Sequence, residues 1–383
     1  MHVSWLDGSP AALAALDTAV AAALDGGPAV LPLNATDPSA ATLHDAMAPD
    51  RPMEPDTAVV IATSGSTGAP KGVLLSPGAL LASATATHAR LGGPGHWLLA
   101  TPAQYIGGLQ VLIRARLAGT KPAFLTGTGF RPADFATAAA PILAATGPRY
   151  TALVPTQLVR LLDEDGPGLA AAKAFDGIIL GAAATSPKLR ARAAEEGVRI
   201  VPSYGMSETA SGCVYDGVPL DGVTVEPDAD DRIRISGPVL SHGYRLAPTL
   251  TAESFRDGWF HTSDRGRTLP DGRIEVLGRA DDVINTGGVK VPAAGVERVL
   301  GAVPGVADVC VVGIPDPQWG EAVVAMVVAE GVEEASLRAT IRETVRAELG
   351  GAATPKRVEF TDALPLRGPG KVDRAAVRAG FGF

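Results

Sequence analysis

The chain has 383 residues, 46% hydrophobic and 19% charged, enough apolar material for two or three packed domains and too much for a disordered chain. A net charge of −8 argues against a nucleic-acid or anionic-membrane surface, and its two cysteines, Cys213 and Cys310, have no metal spacing and form no disulfide framework. No apolar run approaches the ~20 residues of a membrane span, and Asp7 and Asp17 interrupt the N-terminal apolar residues without a basic stretch before them. The expectation is a cytoplasmic protein with no membrane insertion and no nucleic-acid partner.

In chain order, the apolar runs Val59–Ala62, Trp97–Ala100, Ala152–Val154, Gly177–Leu180 and Val198–Val201 read as strands. Ala-rich stretches such as Ala79–Ala89 and Leu189–Glu196 read as helices between them, which predicts α/β layering with largely parallel strands. From about Val223 the pattern changes to short strands and turn pairs, with Ile233–Ser236, the Asp271-Gly272 turn and Arg273–Leu277, so an antiparallel β-rich portion is predicted there. Past Arg279 the pattern changes again. Pro292 leads a helix over Ala293–Leu300, Val309–Ile314 and Ala322–Val328 are strands, and Leu337, Ile341, Val345 and Leu349 mark one face of an amphipathic helix. These fit a small α+β domain of about a hundred residues.

The most informative segment is Thr63-Ser64-Gly65-Ser66-Thr67-Gly68-Ala69-Pro70-Lys71-Gly72, directly after the first of those strands. Glycines let the backbone turn with its N–H groups outward, and hydroxyls and one ammonium add donors for polyphosphate oxygens. A Walker loop is excluded, because Pro70 and Gly72 stand where that pattern needs glycine and a hydroxyl residue. Further along come Gly181-Ala182-Ala183 after a strand, Ser203-Tyr204-Gly205-Met206-Ser207-Glu208-Thr209 after Ile200-Val201, and Asp264 in Gly258–Asp264. The series continues with Arg279 and Asp281 in Leu277–Asp282, Gly287-Gly288, and Lys371 in Leu364–Arg374. Alone, several of these would suit an ordinary turn, Asp281 above all.

Together and in this order they resemble the adenylate-forming superfamily of acyl-CoA synthetases, luciferases and carrier-loading adenylation domains. The resemblance implies a large N-terminal α/β domain of layered subdomains with a β-rich portion (1–279), a hinge (280–282) and a small mobile α+β domain (283–383). It implies that Thr63, Ser64, Gly65, Ser66, Thr67, Gly68 and Lys71 hold the ATP phosphates. Gly181, Ala182, Ala183, Ser203, Tyr204, Gly205 and Thr209 would border the adenine side. Glu208, with Thr67, would hold Mg²⁺, an ion usually bound by one or two carboxylates plus phosphate oxygens. Asp264 and Arg279 would reach the ribose, Asp281 would be the hinge residue, Gly287 and Gly288 would line the path of CoA, and Lys371 would be catalytic. Ala182 departs from the two glycines usual at that motif.

Further segments, Tyr150–Leu158, Gly212–Val223 and Gly92–Gly95 with Ile106–Gln110, resemble the actinobacterial o-succinylbenzoate–CoA ligase branch, which acts in menaquinone biosynthesis. That implies an enzyme joining a small carboxylic acid to CoA through an acyl-adenylate. Tyr105 stands where this branch has a catalytic histidine at the acyl pocket, and a phenol with an ordinary pKa near 10 cannot become a cation. The acid therefore stays open between o-succinylbenzoate and another aryl or short-chain acid. A carrier-loading adenylation enzyme shares the nucleotide motifs, a non-catalytic nucleotide-binding relic is disfavoured by the intact Lys371, Glu208, Asp264 and Arg279, and a homodimer stays open.

Overall fold

The computed structural model describes residues 1–64, 70–127, 129–368 and 370–383. In chain order the first strands are β1 (His2–Leu6), β2 (Val30–Asn34), β3 (Val59–Ser64), β4 (Pro70–Leu75), β5 (His96–Leu99) and β6 (Ala123–Phe124). There follow β7 (Arg149–Leu153), β8 (Gly177–Leu180), β9 (Ile200–Met206), β10 (Ser211–Tyr215) and β11 (Val218–Pro219). Then come β12 (Thr224–Pro227), β13 (Arg232–Ser236), β14 (Gly243–Tyr244), β15 (Phe255–Arg256), β16 (Trp259–Thr268) and β17 (Ile274–Arg279). The last are β18 (Val283–Thr286), β19 (Val289–Pro292), β20 (Val306–Asp316), β21 (Gly320–Ala329), β22 (Arg357–Phe360), β23 (Leu366–Arg367) and β24 (Lys371–Val372).

Two compact units divide the chain. One comprises Met1–Thr185, Arg192–Val225 and Arg234–His261; the other comprises Ser186–Ala191, Glu226–Ile233 and Thr262–Phe383.

The first unit holds two sheets, ordered β1-β2-β3-β4-β14 and β11-β10-β9-β8-β7-β5-β6. In the larger sheet β5 to β9 are parallel, as strand–helix alternation predicts, and β10 and β11 close one edge antiparallel. The smaller sheet is mixed. Its β1, β2 and β3 are parallel, but β3 turns back antiparallel into β4, with Thr63 opposite Lys71 and Ser64 opposite Pro70. The glycine-rich segment therefore joins two strands of a hairpin, where a P-loop would lead into a helix.

Helices form where alanine and leucine dominate and where a hydroxyl can cap. Ser76 accepts from the Ala79 N–H at 3.1 Å and Pro77 starts the helix Pro77–Leu91. The helix Ile106–Leu117 is buried along most of its length, from Ile106 through Ala115.

In the second unit β17 pairs antiparallel with β16, and β19-β18-β21-β20 form a sheet that β22 joins through β21. The helix Glu334–Leu349 buries Leu337, Ile341 and Val345, the stripe its four-residue spacing predicts, while Leu349 stays exposed at the fraying end. That stripe packs with Val296, Leu300, Val311 and Val323 in one core. A second cluster on the other face of the sheet contains Cys310, Val312, Val324, Leu364, Val377 and Phe381. The architecture is a mixed α/β fold with a large N-terminal and a small C-terminal domain. Among the described residues, no helix is long and apolar enough to cross a membrane.

Candidate active site

In the first unit the structure joins Lys71 to Glu208 through a residue that motif reading missed. The Tyr244 hydroxyl donates to Glu208 Oε1 at 2.9 Å, and Lys71 Nζ lies over the same ring, 5.7 Å from its centroid. Tyr244 reaches this place because β14 pairs with β4, Tyr244 opposite Val73 and Gly243 opposite Leu74. The next residue, Arg245, locks that pairing. Its side chain is fully buried and donates to the carbonyls of Met47, Ala48, Arg51 and Pro52 and to Glu54, while its N–H donates to Gly72. A side chain at Gly72 would collide with Met47, which explains the glycine closing the lysine motif. Burial, then the Glu208 carboxylate, pushes the Tyr244 phenol well above its usual range, so it stays a neutral donor.

Glu208 sits in the short turn Ser207–Thr209, half-buried, its carbonyl accepting from the Ser241 N–H at 2.8 Å. Placed by the sequence just after the strand Ile200-Val201, Ser203-Tyr204-Gly205 lie inside β9 itself, opposite Tyr215, Val214 and Gly212 of β10. Gly205 allows this, because a side chain there would strike the Ser211 carbonyl oxygen. Thr209 is buried; its hydroxyl accepts from the Met206 N–H at 2.9 Å and contacts the Ser211 carbonyl at 2.7 Å, so it holds the turn that carries Glu208. Ser203 donates to the Leu180 carbonyl at 3.2 Å, which places it beside Gly181 at the end of β8. Ala182 there has φ +70°, in the left-handed region where a Cβ costs roughly 1–2 kcal/mol, so the alanine occupies a conformation suited to glycine. The Thr63 hydroxyl donates to the Lys71 carbonyl at 3.3 Å. Gly65, Ser66, Thr67 and Gly68 lie outside the described residues.

Tyr105 precedes the helix Ile106–Leu117 and lines a recess with Asn34, Asp37, Leu43, Gln104 and Ala62, the residue before Thr63. Burial, with Asp37's charge, raises its pKa, so the hydroxyl is a neutral donor.

The same helix carries a second residue that sequence reading missed. Arg114 is 1% exposed, its Nε has no hydrogen-bond partner, and it forms no ion pair among the described residues. Its surroundings offer the Tyr215 hydroxyl at 3.4 Å, itself 3.0 Å from Thr87 Oγ1, and the Trp97 ring at 5.3 Å. Trp97 donates to His88 Nε2 at 3.3 Å, and burial, then the Arg114 charge, lowers the His88 pKa to about 4, so the imidazole is neutral. A buried guanidinium without a carboxylate is costly, by several kcal/mol, unless an anion arrives to meet it. One turn earlier, Gln110 donates to the carbonyl of Ala210, two residues past Glu208. The one signal available in the sequence was an arginine following the apolar run Val111-Leu112-Ile113.

In the second unit Asp264 and Arg279 face each other across the consecutive antiparallel strands β16 and β17. Arg279 also grips Asp281 with both arms, at 2.8 and 2.7 Å. Asp281 is lowered: burial opposes ionisation, but the hydrogen bonds and charge of Arg279 outweigh it. Gly287 and Gly288, with φ +59° and +80°, form the two-residue turn between β18 and β19. The Gly287 N–H donates to the Trp319 carbonyl at 2.7 Å, and a Cβ there would lie 2.7 Å from the Trp319 ring. Lys371 is exposed and sits in the β23–β24 hairpin, opposite Arg367.

Comparison with known proteins agrees with this geometry. The profile of the AMP-binding enzyme family matches residues 7–246, and that of the AMP-binding enzyme C-terminal domain matches 295–371. The probable 2-succinylbenzoate–CoA ligase of Mycobacterium tuberculosis H37Rv is 44% identical over 331 residues, 85% of each chain. ATP-bound MatB from Rhodopseudomonas palustris is 26% identical with a TM-score of 0.80, over 99% of this chain and 88% of the other. The o-succinylbenzoate coenzyme A synthetase MenE of Bacillus subtilis, in complex with ATP and magnesium ion, is 27% identical with a TM-score of 0.70, over 84% and 70%. The chain is a member of the AMP-binding enzyme family.

Proposed function

We propose that this protein is an ATP-dependent acid–CoA ligase, with o-succinylbenzoate as the acid and cytoplasmic menaquinone biosynthesis as its setting. Oxide is a very poor leaving group, so a carboxylate must be activated before a thiol can displace its oxygen. In the first step the acid's carboxylate oxygen attacks the α-phosphorus of ATP; the bond to the bridging oxygen breaks and pyrophosphate departs. In the second, the CoA thiolate attacks the acyl carbon and AMP departs.

Lys71 and the segment from Thr63 to Gly68 gather charge on the leaving pyrophosphate, Gly65–Gly68 by resemblance alone. Gly181, Ala182, Ala183, Ser203, Tyr204 and Gly205 border the adenine, and Thr209 supports them from below. Asp264 and Arg279 take the ribose, an assignment supported by their pairing in register. The Glu208 carboxylate suits Mg²⁺, since Tyr244 donates to its Oε1 and orients the group. When bound, that ion neutralises charge on the triphosphate. Thr67 joins Glu208 in this assignment. Lys371 bridges the acid and the α-phosphate, Tyr105 orients the carboxylate, Gly287 and Gly288 admit CoA, and Asp281 is the residue about which residues 283–383 turn between the two steps.

The observation that carries the choice of acid is the 44% identity to the probable 2-succinylbenzoate–CoA ligase of Mycobacterium tuberculosis, and Arg114 is the residue assigned to the second carboxylate. The acid o-succinylbenzoate has two carboxylates and only one is adenylated, so the other needs a cation. A buried guanidinium with an unpartnered Nε supplies one, on the helix that Tyr105 precedes. The test is pyrophosphate release across a panel of acids, with and without CoA. Release with o-succinylbenzoate and CoA-dependent thioester formation support the reading. Release only with acids bearing a single carboxylate would replace it by the reading that Tyr105 favours, a ligase for another aryl or short-chain acid; a product made without CoA on a carrier protein would indicate a carrier-loading enzyme.

A further inference from the structure

Arg374 stands three residues beyond Lys371 and opens the terminal helix Arg374–Gly380. Its guanidinium is shared among three elements. One Nη donates to the Val311 carbonyl of β20 at 2.6 Å, the other to Glu297 of the helix Ala293–Gly301 at 2.9 Å, and Nε lies 3.2 Å from Asp282. Glu297 is itself held, accepting from the Val311 N–H at 2.8 Å. Asp282 follows Asp281 directly and leads into β18. The three charged side chains are 20–26% exposed, so water screens them only in part.

The chain before Arg374 is equally fixed. The Asp373 N–H donates to the Pro365 carbonyl at 2.8 Å, and its carboxylate caps the terminal helix at the Ala375 and Ala376 N–H groups, 3.1 and 3.2 Å away. Val372 packs against the cluster of Cys310, Leu364 and Val377. Between this anchored stretch and the hairpin turn lies Lys371, which is exposed and whose backbone is the base from which its amine reaches.

We infer that Arg374 is a positioning residue for Lys371. By tying the start of the terminal helix to Asp282, Glu297 and the Val311 carbonyl, it fixes the base from which the β23–β24 hairpin projects and so where the lysine amine is held during adenylation. A planar fork meets three acceptors in fixed directions, which the single ammonium of a lysine cannot do. Placement matters because an error of about 1 Å can cost roughly 100-fold in rate. The inference rests on the reading of Lys371 given above.

The test separates the half-reactions in the full-length enzyme: adenylate formation from ATP and o-succinylbenzoate without CoA, and thioester formation from supplied acyl-adenylate with CoA. Arg374→Gln should lower the adenylation kcat on the order of 10–100-fold, with KM for ATP and acid unchanged and thioester formation within about twofold of wild type. Arg374→Lys should recover part of the loss, and Glu297→Gln should show the same split more weakly. Equal loss of both half-reactions, or wild-type adenylation in folded Arg374→Gln, overturns the inference; if that variant does not fold, Glu297→Gln decides by the same criterion. Lys371→Ala is the parallel arm. Should it adenylate normally, the reading of Lys371 and the inference fall together. Should it be inactive beside a fully active Arg374→Gln, the inference alone falls.

Discussion

Around Glu208 the polar groups are held by sheet pairing and buried side chains. Tyr244 hangs from the β4–β14 ladder, Arg245 is buried beneath it, and Thr209 closes the turn from inside. In the second unit the fixed points are ion pairs at or near the surface, with Arg279–Asp281 at 43–44% exposure and Arg374 bridging Asp282 and Glu297. The first kind of support is insensitive to salt; the second is weakened by salt to the extent that water reaches it, more at Arg279–Asp281 than at Arg374. That contrast suits the roles proposed above, a constant nucleotide platform and a lysine used in one of two steps.

Arg114 gives the sharpest way to break the first half of this comparison. Arg114→Met removes a buried charge for a side chain of similar reach, so thermal stability should stay level or rise. Adenylation of o-succinylbenzoate should fall by about 3 kcal/mol, roughly 100-fold, while any acid with one carboxylate is spared. Lost stability with unchanged acid preference, read by thermal melts and pyrophosphate release, would make Arg114 structural.

His88 tests the same buried region by pH. Its imidazole folds neutral with a pKa of about 4 against 6.5 for the free group, so the unfolded chain binds the extra proton between those values. Its contribution is complete above pH 6.5 and is lost as pH falls toward 4, to a limit of about 3 kcal/mol. Denaturant midpoints of His88→Gln should fall less steeply over that window than those of the wild type. Parallel curves would mean that another group governs the acid limb.

Tyr244→Phe removes one hydrogen bond to a carboxylate, worth about 1.5–3 kcal/mol, so metal affinity in the presence of ATP should weaken roughly 10–100-fold. Titrating Mn²⁺ by electron paramagnetic resonance reads this without turnover, and unchanged Mn²⁺ affinity would count against Tyr244 orienting Glu208. The smallest effect belongs to Ala182→Gly. Relief of left-handed strain, less the added unfolded-state entropy, should stabilise the protein by up to about 1 kcal/mol in chemical denaturation.

Much of this was open to inspection before any fold was known. Each predicted strand and helix has a counterpart, since apolar runs and alanine-rich stretches encode burial locally. The glycine-rich segment, Glu208, Asp264, Arg279 and Lys371 announce themselves because their chemistry needs particular residue types at short spacings. Tyr244 did not, because a Gly-Tyr pair has no local signal; only the antiparallel return of β14 onto β4 brings its hydroxyl to Glu208. Arg114 and Arg116 looked alike in the sequence, and only the fold buries Arg114 and leaves its Nε without a partner. Likewise the strand was expected to stop at Val201, and pairing with β10 carries it on through Ser203–Gly205. Residue order determined the elements and the reactive groups, which depend on neighbours a few positions away. Tertiary structure decided which groups meet and which charges lose their solvent, because those follow from contacts between segments far apart in the chain.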